Sequence, residues 1–334
     1  MTKAMAMRIH AHGGPDVLKW EEVEVRAPAA GEVRVRHTAI GINYSDVNVR
    51  NGGFYLKHQP QMPLILGNEA AGVVESVGEG VADLKAGDRV CYAGMRGEFF
   101  ENTGSYAELR NVPAERLVKI PDGVSDQQAA AMMTKGFTAS LIINRIYRPK
   151  PGDTVLIHTA AGGVGIILAQ WAKHLGATVF GTVGSPAKAE IAKAHGCDHP
   201  ILYRDVDFVA EVNRITGQGV KVVYDGVGKD TFLKSLACTR PFGFMVNYGN
   251  ASGHVPPLEL LLLAAKSITV ARPGLSSYIR DEATMRTAAA ELFDLVARGI
   301  IRIEIGETYP LRDAVAAHRD IDARKQTGSI LLIP

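Results

Sequence analysis

The segment at residues 158–165 constrains the fold of this chain more than any other, because its glycines stand between a strand pattern and a helix pattern. It reads HTAAGGVG in one-letter code. The apolar run Thr154–His158 leads into it and predicts a buried strand. The pattern of residues 164–175 follows, closes at Gly176 and predicts a helix. A strand, a glycine-rich turn and a helix in this order predict the first half of a βαβ unit.

The spacing inside this segment fits the fingerprint of dinucleotide-binding loops, with Ala160 in the first glycine position and then Gly162 and Gly165. Gly162 lets the backbone approach a pyrophosphate, whereas Gly165 allows the helix to pack closely on the strand. The helix N-terminus offers N–H groups and the positive end of its dipole to the phosphates. The alternative is a glycine-rich turn that only packs a helix on a sheet. The residues predicted to hold the pyrophosphate are Ala161, Gly162, Gly163, Val164 and Gly165.

Short strands and helices alternate along the middle of the chain. Ser125 and Gln128 form a capping box that leads into an alanine-rich helix near residues 129–133. Further strands are predicted at 178–182, 220–224 and 242–247, and a further helix at 187–195. Such alternation predicts a parallel, doubly wound sheet.

The N-terminal part predicts many short strands instead. Residues 33–37 alternate apolar and polar side chains, and residues 71–78 and 89–92 are further strand candidates punctuated by glycine. This pattern predicts a compact, barrel-like β domain. We expect the last strand, at residues 328–334, to return to that domain and make it discontinuous. A chain of 334 residues is also too long for one ordinary core, so two domains are expected.

The end of the second strand of the βαβ unit indicates which dinucleotide binds. Sites that prefer NAD usually place an Asp or Glu there, which binds the ribose hydroxyls. This chain has no acid before Glu190. Gly184 leaves space, Ser185 can donate a hydrogen bond, and Lys188 supplies positive charge, which suits the 2′-phosphate of NADPH. The alternative for Lys188 is a solvated helix residue.

Composition and charge argue against several other classes of protein. Hydrophobic residues make up 46% and charged residues 22% of the chain, a balance typical of a globular enzyme. A net charge of +2, spread along the sequence, argues against a nucleic-acid binder. The longest apolar stretch, residues 258–265, is too short to cross a bilayer, and the N-terminus lacks an apolar leader. Three widely spaced cysteines are typical of free thiols in a reducing cytosol.

Motifs along nearly the whole chain resemble those of the medium-chain dehydrogenase/reductase superfamily, and within it the zinc-free quinone oxidoreductases. They lie at residues 11–15 (AHGGP), 40–46 (IGINYSD), 67–72 (GNEAAG), 86–90 (AGDRV), 135–138 (KGFT), 160–165 (AAGGVG), 223–228 (VYDGVG), 248–250 (YGN), 272–273 (RP) and 328–334 (GSILLIP). The resemblance implies an α/β fold with two domains. A GroES-like β-barrel catalytic domain is expected at residues 1–127 and 270–334. A Rossmann domain with a doubly wound parallel sheet is expected at residues 128–269, with NADPH in the cleft between the domains.

The resemblance also implies which residues surround the cofactor. Asn43, Tyr55 and Thr138 are expected around the nicotinamide end and are the catalytic candidates. The residues expected around the adenosine phosphate are Gly184, Ser185, Lys188 and Tyr203. The residues expected along the rest of the cofactor are Tyr248, Gly249, Arg272 and Arg324.

The same resemblance argues against a catalytic zinc ion. Zinc-bearing relatives use a Cys near the position of Asn43, a His after Gly67 and a distant Cys. This chain has Asn43 and Asn68 at the first two places, and amides are poor zinc ligands. Of the four-cysteine structural lobe of those relatives, only Cys91 falls anywhere near. We therefore expect no bound metal.

Without a zinc Lewis acid, hydride transfer to an electron-poor π system is favoured over alcohol oxidation. We expect an NADPH:quinone oxidoreductase that acts by hydride or electron transfer, with water able to supply the proton. One alternative is an alkenal or enoyl double-bond reductase, with Tyr55 or Tyr44 as candidate proton donor. Another is a non-catalytic, crystallin-like NADPH-binding protein. The resemblance implies a homodimer, and we expect a cytoplasmic protein whose partner is a small quinone or another electron-poor acceptor, with neither nucleic acid nor membrane.

Overall fold

The computed structural model describes residues 1–53, 60–95, 102–324 and 327–334. The chain forms two compact units. The first comprises Met1–Phe137, Ser276–Ala297 and Ile303–Pro334, and the second comprises Thr138–Leu275 and Arg298–Arg302. The domain boundaries predicted from the sequence, after residues 127 and 269, stay a prediction, because compactness alone does not define domains that fold independently.

Strands and helices follow one another along the described chain with these bounds. The strands are β1 Thr2–Ile9, β2 Leu18–Val25, β3 Glu32–Ile42, β4 Leu64–Ile65, β5 Glu69–Val77, β6 Arg89–Ala93, β7 Leu109–Pro113, β8 Val118–Lys119, β9 Thr154–His158, β10 Thr178–Val183, β11 His199–Leu202, β12 Val220–Asp225, β13 Thr239–Asn247, β14 Thr269–Ala271, β15 Ile305–Pro310 and β16 Ser329–Ile333. The helices are α1 Tyr44–Arg50, α2 Asp126–Leu141, α3 Gly163–His174, α4 Pro186–Ala194, α5 Phe208–Thr216, α6 Phe232–Ala237, α7 Leu261–Ala264, α8 Leu275–Tyr278, α9 Glu282–Ala297 and α10 Ala314–Asp322.

The first unit contains two β-sheets. A small sheet has the strand order β2-β1-β4 and is antiparallel throughout. A larger one has the order β15-β16-β3-β5-β6-β8, and β7 pairs with the free half of β3. The C-terminal strand β16 pairs antiparallel with β3, residue Leu331 opposite Gly41. The predicted return of the chain end to the N-terminal domain is therefore confirmed.

The strands of the first unit do not close into a continuous barrel over the described residues, so the expected barrel is open. Among these residues an isolated bridge pairs Ala6, in β1 of the small sheet, with Ala107, two residues before β7. Their inner faces share one core, to which Ile9, Val35 and Leu332 contribute as fully buried or nearly fully buried side chains. A packed core of this kind gives the sheets a common interior without a closed ladder of hydrogen bonds.

The second unit is built on a six-stranded parallel sheet with the order β11-β10-β9-β12-β13-β14. From β9 the chain adds β10 and β11 on one side of the sheet. It then returns to add β12, β13 and β14 on the other side, which is the strand order of a Rossmann fold. Its core includes Leu156, Phe180 and Val223, one from each of three neighbouring strands. The predicted doubly wound sheet is confirmed.

The helix start at Ser125 and the helix end at Gly176 that the sequence predicts are both present. The Ser125 N–H donates to Gln128 Oε1 at 2.9 Å and the Gln128 N–H donates to Ser125 Oγ at 3.1 Å, so the capping box before α2 is formed. Gly176 follows α3 with a φ of +88°, a conformation that side chains with a Cβ rarely adopt. The helix therefore ends where the sequence predicts.

Candidate active site and cofactor-binding loops

The glycine-rich loop follows β9 and forms a tight turn into α3. The Gly162 N–H donates to the carbonyl of Thr159 at 2.8 Å, and the Ile166 N–H donates to the carbonyl of Gly162 at 2.9 Å. Gly162 is thus the N-cap residue and Gly163 begins the helix. N–H groups in the first turn of a helix have no preceding turn to donate to, so they are available to an anion.

The two fingerprint glycines meet different surroundings. A Cβ on Gly165 would overlap the carbonyl oxygen of Thr159 and lie 3.0 Å from Ala160 Cα, so a side chain there collides with backbone. A Cβ on Gly162 would lie 3.2 Å from the same carbonyl oxygen, which a small shift relieves. Gly165 therefore serves the packing of helix on strand, whereas packing does not require a glycine at position 162.

The position of this loop in the sheet is the usual place for a ligand in doubly wound folds. It lies at the carboxyl end of β9, which pairs with β10 on one side and β12 on the other. The strand order reverses between β9 and β12. The crevice outside such a reversal is where ligands bind in open α/β sheets. The sequence predicted that the loop follows a strand, and the sheet order adds that this strand is one of the two central ones.

The turn between β10 and α4 gathers the residues expected around the adenosine phosphate. Ser185 caps α4, and its Oγ accepts from the Lys188 N–H at 3.4 Å. A Cβ on Gly184 would lie 3.1 Å from the hydroxyl oxygen of Tyr203. Burial, and after it the positive charge of Arg204, lowers the pKa of the Lys188 ammonium. Arg204, which follows β11, is thus close enough for its charge to act on Lys188, so two cations lie near this turn, where the sequence predicted one.

Arg204 was not predicted as a site residue, although it stands next to Tyr203. The signal was available, because a second basic residue directly after a predicted phosphate contact adds to the same positive potential. Its proximity to Lys188 depends on the pairing of β10 with β11, in which Val183 lies opposite Leu202.

The residues expected along the rest of the cofactor in the second unit lie together. The Tyr248 N–H donates to the carbonyl of Asp225 at 2.8 Å, and its side chain is hydrogen-bonded to Thr159 in the glycine-rich loop. A Cβ on Gly249 would overlap the backbone of Gly226, so the two turns pass in close contact. Arg272 Nη1 donates to the carbonyl of Asn247 at 3.0 Å. The ends of β12, β13 and β14 therefore bring three predicted residues to the edge that carries the loop.

In the first unit, Asn43 caps the N-terminus of α1 and is only 9% exposed. Its Nδ2 donates to Glu69 Oε1 at 2.8 Å. Glu69 begins β5 and has no exposed surface. The Nζ of Lys135, on α2, donates to the same oxygen at 2.9 Å, and the N–H of Thr134 donates to Oε2 at 2.6 Å. The predicted catalytic amide of Asn43 therefore contacts the carboxylate of a buried ion pair, Glu69 with Lys135.

Glu69 and Lys135 were not predicted as site residues. Each is an ionisable side chain in an otherwise apolar segment, EAAGVV and AAAMMTKGF respectively. A buried charge requires a partner of opposite sign, so the two segments together could have suggested a pair. What the sequence does not show is that these positions, 66 residues apart, meet.

A second buried carboxylate, Asp46, also contacts Asn43. Its Oδ2 accepts from the Asn43 backbone N–H at 3.0 Å and from the Tyr106 hydroxyl at 3.2 Å. The Tyr106 hydroxyl also contacts His318 Nε2 at 3.0 Å. Burial, only partly offset by these hydrogen bonds and reinforced by the charge of Glu69, raises the pKa of Asp46 to about 7. This group therefore changes its charge near neutral pH.

Four other candidates from the sequence stay predictions. Tyr55 lies outside the described residues. Thr138 stands on α2 one turn after Thr134 and is partly exposed. Arg324 follows α10 in the first unit, with a φ of +55° and an exposed side chain. Tyr44, the alternative proton donor, is the first residue of α1 and is 40% exposed.

The side chains at the zinc positions of zinc-bearing relatives do not fit a zinc ion. Asn43 Nδ2 is directed at Glu69, and Asn68 Nδ2 donates to Asp46 Oδ1 at 3.3 Å. The Glu69 carboxylate already has a cation, Lys135, at 2.9 Å. Across the described parts of the chain, no group of three or more His, Cys, Asp or Glu side chains is arranged to hold a metal. The donors present are amides and an occupied carboxylate, neither of which suits zinc.

Comparison with known proteins places the chain among oxidoreductases. Residues 29–122 match the family described as alcohol dehydrogenase GroES-like domain, and residues 163–294 match zinc-binding dehydrogenase. The chain is 44% identical to 2-haloacrylate reductase of Burkholderia sp over 99% of either chain. It is 44% identical to quinone oxidoreductase 1 of Escherichia coli (strain K12) over 99% of this chain and 100% of that protein.

The fold comparison agrees with the sequence comparison. A crystal structure of Escherichia coli quinone oxidoreductase complexed with NADPH superposes with a TM-score of 0.93 at 43% identity, covering 99% of this chain and 100% of that one. The first unit accordingly contains the GroES-like domain, which matches at residues 29–122. None of the described helices has the length and apolar character that crossing a membrane requires.

Proposed function

Since this chain belongs to the quinone oxidoreductase family of the medium-chain dehydrogenase/reductase superfamily, we propose that it reduces quinones with NADPH and without zinc. It is an oxidoreductase, and NADPH is its cofactor. We further propose that it acts without a metal, forms a homodimer and is located in the cytoplasm.

One observation carries the proposal. The N-terminus of α3 lies at the strand-order reversal beside β9. Lys188 follows the neighbouring strand β10, and Arg204, which follows β11, is close enough for its charge to act on Lys188. N–H groups at a helix start suit a pyrophosphate, and the two cations suit an additional phosphate on the ribose. That combination fits NADPH better than NADH, because NADH has no phosphate at that position.

NADPH supplies a hydride when bound. The side chains of this protein then need to bind and orient, since an electron-poor acceptor requires mainly positioning. Asn43 orients the nicotinamide end, and the loop at Gly162 holds the pyrophosphate. The proton that completes quinone reduction can come from water, so no buried acid is required. The poor fit of Asn43 and Asn68 to zinc supports a mechanism without a Lewis acid.

A second activity, reduction of an activated carbon–carbon double bond, is favoured by the similarity to 2-haloacrylate reductase. Alkene reduction adds a hydride to one carbon and a proton to the other, so it benefits from a positioned proton donor. Tyr55 and Tyr44 stay the candidates for that role. The same NADPH site serves both reactions, and only the acceptor differs.

The test is steady-state oxidation of NADPH, followed by its absorbance, with 1,4-benzoquinone, 2-chloroacrylate and an alkenal as separate acceptors. We expect turnover with the quinone that is unchanged by a strong chelator. Turnover with 2-chloroacrylate alone would replace the quinone proposal with the alkene one. Loss of activity on chelation, restored by zinc, would contradict the metal-free mechanism. Absence of turnover with every acceptor, despite NADPH binding, would favour the non-catalytic alternative.

A further inference from the structure

We propose that His158 and Thr182 are positioning residues for the loop that holds the pyrophosphate of NADPH. Both belong to the second unit, with His158 as the last residue of β9 and Thr182 opposite it in β10. Neither is among the residues that the sequence predicts around the cofactor. The inference rests on the proposed function, because it takes the loop at residues 159–165 as the site of the pyrophosphate.

The loop begins at a residue in an unfavourable backbone conformation. Thr159 directly follows β9 and has a φ of +59°. Side chains that branch at Cβ rarely adopt this left-handed region, and such strain persists only where the surrounding structure holds it. The Thr159 carbonyl accepts from the Gly162 N–H at 2.8 Å, which sets the turn into α3. The groups that hold Thr159 in this conformation therefore shape the loop.

Thr182 accepts from the first two backbone N–H groups of the loop. Its carbonyl accepts from the Ala160 N–H at 3.1 Å, and its hydroxyl oxygen accepts from the Thr159 N–H at 3.4 Å. The second bond is long, so its strength depends on where the hydroxyl oxygen is held. Thr182 is only 4% exposed, so the protein and not the solvent determines the position of its side chain.

The imidazole of His158 holds that hydroxyl oxygen. Its Nδ1 lies 2.9 Å from Thr182 Oγ1, and its Nε2 lies 2.8 Å from Oγ of Ser235, in α6. The ring has no exposed surface, and burial lowers its pKa to about 4, so it is uncharged at neutral pH. A neutral imidazole has one N–H donor and one acceptor nitrogen. One of its two partners must therefore accept from the ring, and the other must donate to it.

The hydroxyl of Ser235 decides which ring nitrogen carries the hydrogen. It donates to the carbonyl of Thr231 at 2.8 Å, and a carbonyl can only accept. Its single hydrogen is thereby used, so Ser235 accepts from His158 Nε2. Nδ1 is then the acceptor nitrogen, and the Thr182 hydroxyl donates to it. This leaves the lone pairs of Thr182 Oγ1 for the Thr159 N–H.

This order of donors and acceptors gives His158 a role that an apolar side chain cannot fill. Without an acceptor at Nδ1, the Thr182 hydroxyl is free to turn away from the start of the loop. The loop then has its binding conformation for a smaller fraction of the time. The dissociation constant of a ligand that needs the loop rises by the inverse of that fraction.

The experiment measures dissociation constants for NADPH and for adenosine 2′-monophosphate, because the second carries the 2′-phosphate and lacks a pyrophosphate. Thr182→Val keeps the shape of the side chain and removes the hydroxyl. We expect the dissociation constant for NADPH to rise about fivefold, the value of one net hydrogen bond. That for the monophosphate should stay unchanged. Thr182→Ser, which keeps the hydroxyl, should bind NADPH nearly as the wild type does.

Two substitutions of His158 separate the roles of its two nitrogens. In His158→Asn the amide oxygen can take the place of Nδ1, whereas in His158→Gln the amide nitrogen can take the place of Nε2. The first keeps the acceptor for Thr182, so its dissociation constant for NADPH should stay within about twofold of the wild-type value. The second keeps the donor to Ser235 and loses that acceptor, so it should weaken NADPH binding about fivefold.

The matched control is Thr154→Val. Thr154 is the first residue of β9, at the end of the strand away from the loop, and its hydroxyl oxygen accepts from the Lys221 N–H at 3.2 Å. The substitution therefore removes the same kind of contact, a threonine hydroxyl that accepts from a backbone N–H. It should leave the binding of both ligands unchanged.

The outcomes separate this inference from the proposed function. Equal weakening of both ligands in Thr182→Val would assign Thr182 a structural role and overturn the proposal. Unchanged NADPH binding in Thr182→Val would overturn it as well, and so would equal NADPH binding by the two His158 variants. In each of these cases the wild type still binds NADPH, and the proposed function stands. A wild type that binds neither ligand would contradict the NADPH function itself, and this inference with it.

Discussion

The two units build their candidate sites from different parts of the polypeptide. In the second unit, the loop after β9 presents backbone N–H groups at the start of α3, and its close packing depends on Gly165. In the first unit, the amide of Asn43 is held by the buried side chains of Glu69 and Lys135. One site is therefore made by main-chain geometry and the other by charges in the interior.

This difference has a consequence for how each site responds to substitution. A buried charge that loses its partner costs several kcal/mol, so binding and stability should fall together in the first unit. A partly exposed phosphate contact can be removed at little cost to the fold, so the two properties should separate in the second unit. The four predictions below test that contrast.

The largest effect is expected at the buried ion pair. Lys135→Met leaves Glu69 as an unpaired carboxylate with no exposed surface, and should lower the free energy of unfolding by about 3–5 kcal/mol. Adding Glu69→Gln should restore most of that loss. Urea unfolding of the single and double variants measures both values. Asp126→Asn is the control, because it removes the partly exposed ion pair between Asp126 and Arg89 and should lower the free energy of unfolding by about 1 kcal/mol or less. If Lys135→Met lowers the free energy of unfolding no more than this control does, the ion pair of Glu69 and Lys135 does not stabilise the fold.

The next effect is a pH dependence that arises from Asp46. Its pKa is raised from an ordinary 3.8 to about 7, so the folded protein holds a proton that the unfolded chain releases. The stability contributed by this group is therefore present at low pH and is lost as pH rises toward 7. The free energy of unfolding of the wild type, minus that of Asp46→Asn, should fall by at most about 1.4 kcal/mol per pH unit between about pH 4 and 7.

The wild type is compared with Asp46→Asn because buried histidines change the free energy of unfolding with pH in the opposite direction. Burial lowers the pKa of His37 and His158 to about 4 and that of His318 to about 3. Stability from these groups is lost as pH falls below about 6.5. They are present in both proteins, so their contribution cancels. A difference that does not change with pH would show that Asp46 keeps an ordinary pKa.

The two fingerprint glycines should separate packing from binding. Gly165→Ala places a Cβ against the Thr159 carbonyl and should lower the free energy of unfolding by about 1–3 kcal/mol. Gly162→Ala meets that carbonyl only at 3.2 Å, so it should leave stability nearly unchanged and weaken NADPH binding. Thermal unfolding and NADPH titration of each variant give the comparison. Equal stability losses would mean that both glycines serve packing.

The smallest effect is expected at the phosphate turn. Lys188→Ala removes a charged hydrogen bond worth about 1.5 kcal/mol at a partly exposed site, which is roughly tenfold in kcat/KM for NADPH. NADH should be almost unaffected, because it lacks the phosphate. Lys193→Ala is the control, since Lys193 stands on the same helix and pairs with the exposed Glu190 at 2.9 Å. Equal losses of kcat/KM with both cofactors would show that Lys188 supports the fold or contacts the shared pyrophosphate.

Much of the second unit could be predicted from the sequence, because its signals are local. The strand Thr154–His158, the cap of the next helix and the turn at Ser185 each depend on residues a few positions apart. Turn chemistry, caps and periodicity act over that range. Arg204 was missed because its approach to Lys188 requires two strands to pair. The GroES-like β domain expected in the first unit is confirmed, but its open strand order could not be predicted, since periodicity does not reveal which strand edges pair.

By itself the sequence determined the alternation of strands and helices in the middle of the chain, the glycine-rich loop, the absence of an acid between β10 and Glu190, and the amides at the zinc positions. Only the tertiary structure decided that Glu69 and Lys135 meet behind Asn43, and that Asp46 is enclosed by Tyr106 and Asn68. The physical reason is the range of the interactions. Helix caps and glycine turns are set by neighbours in the chain, whereas the state of a buried charge depends on which distant segments exclude water from it.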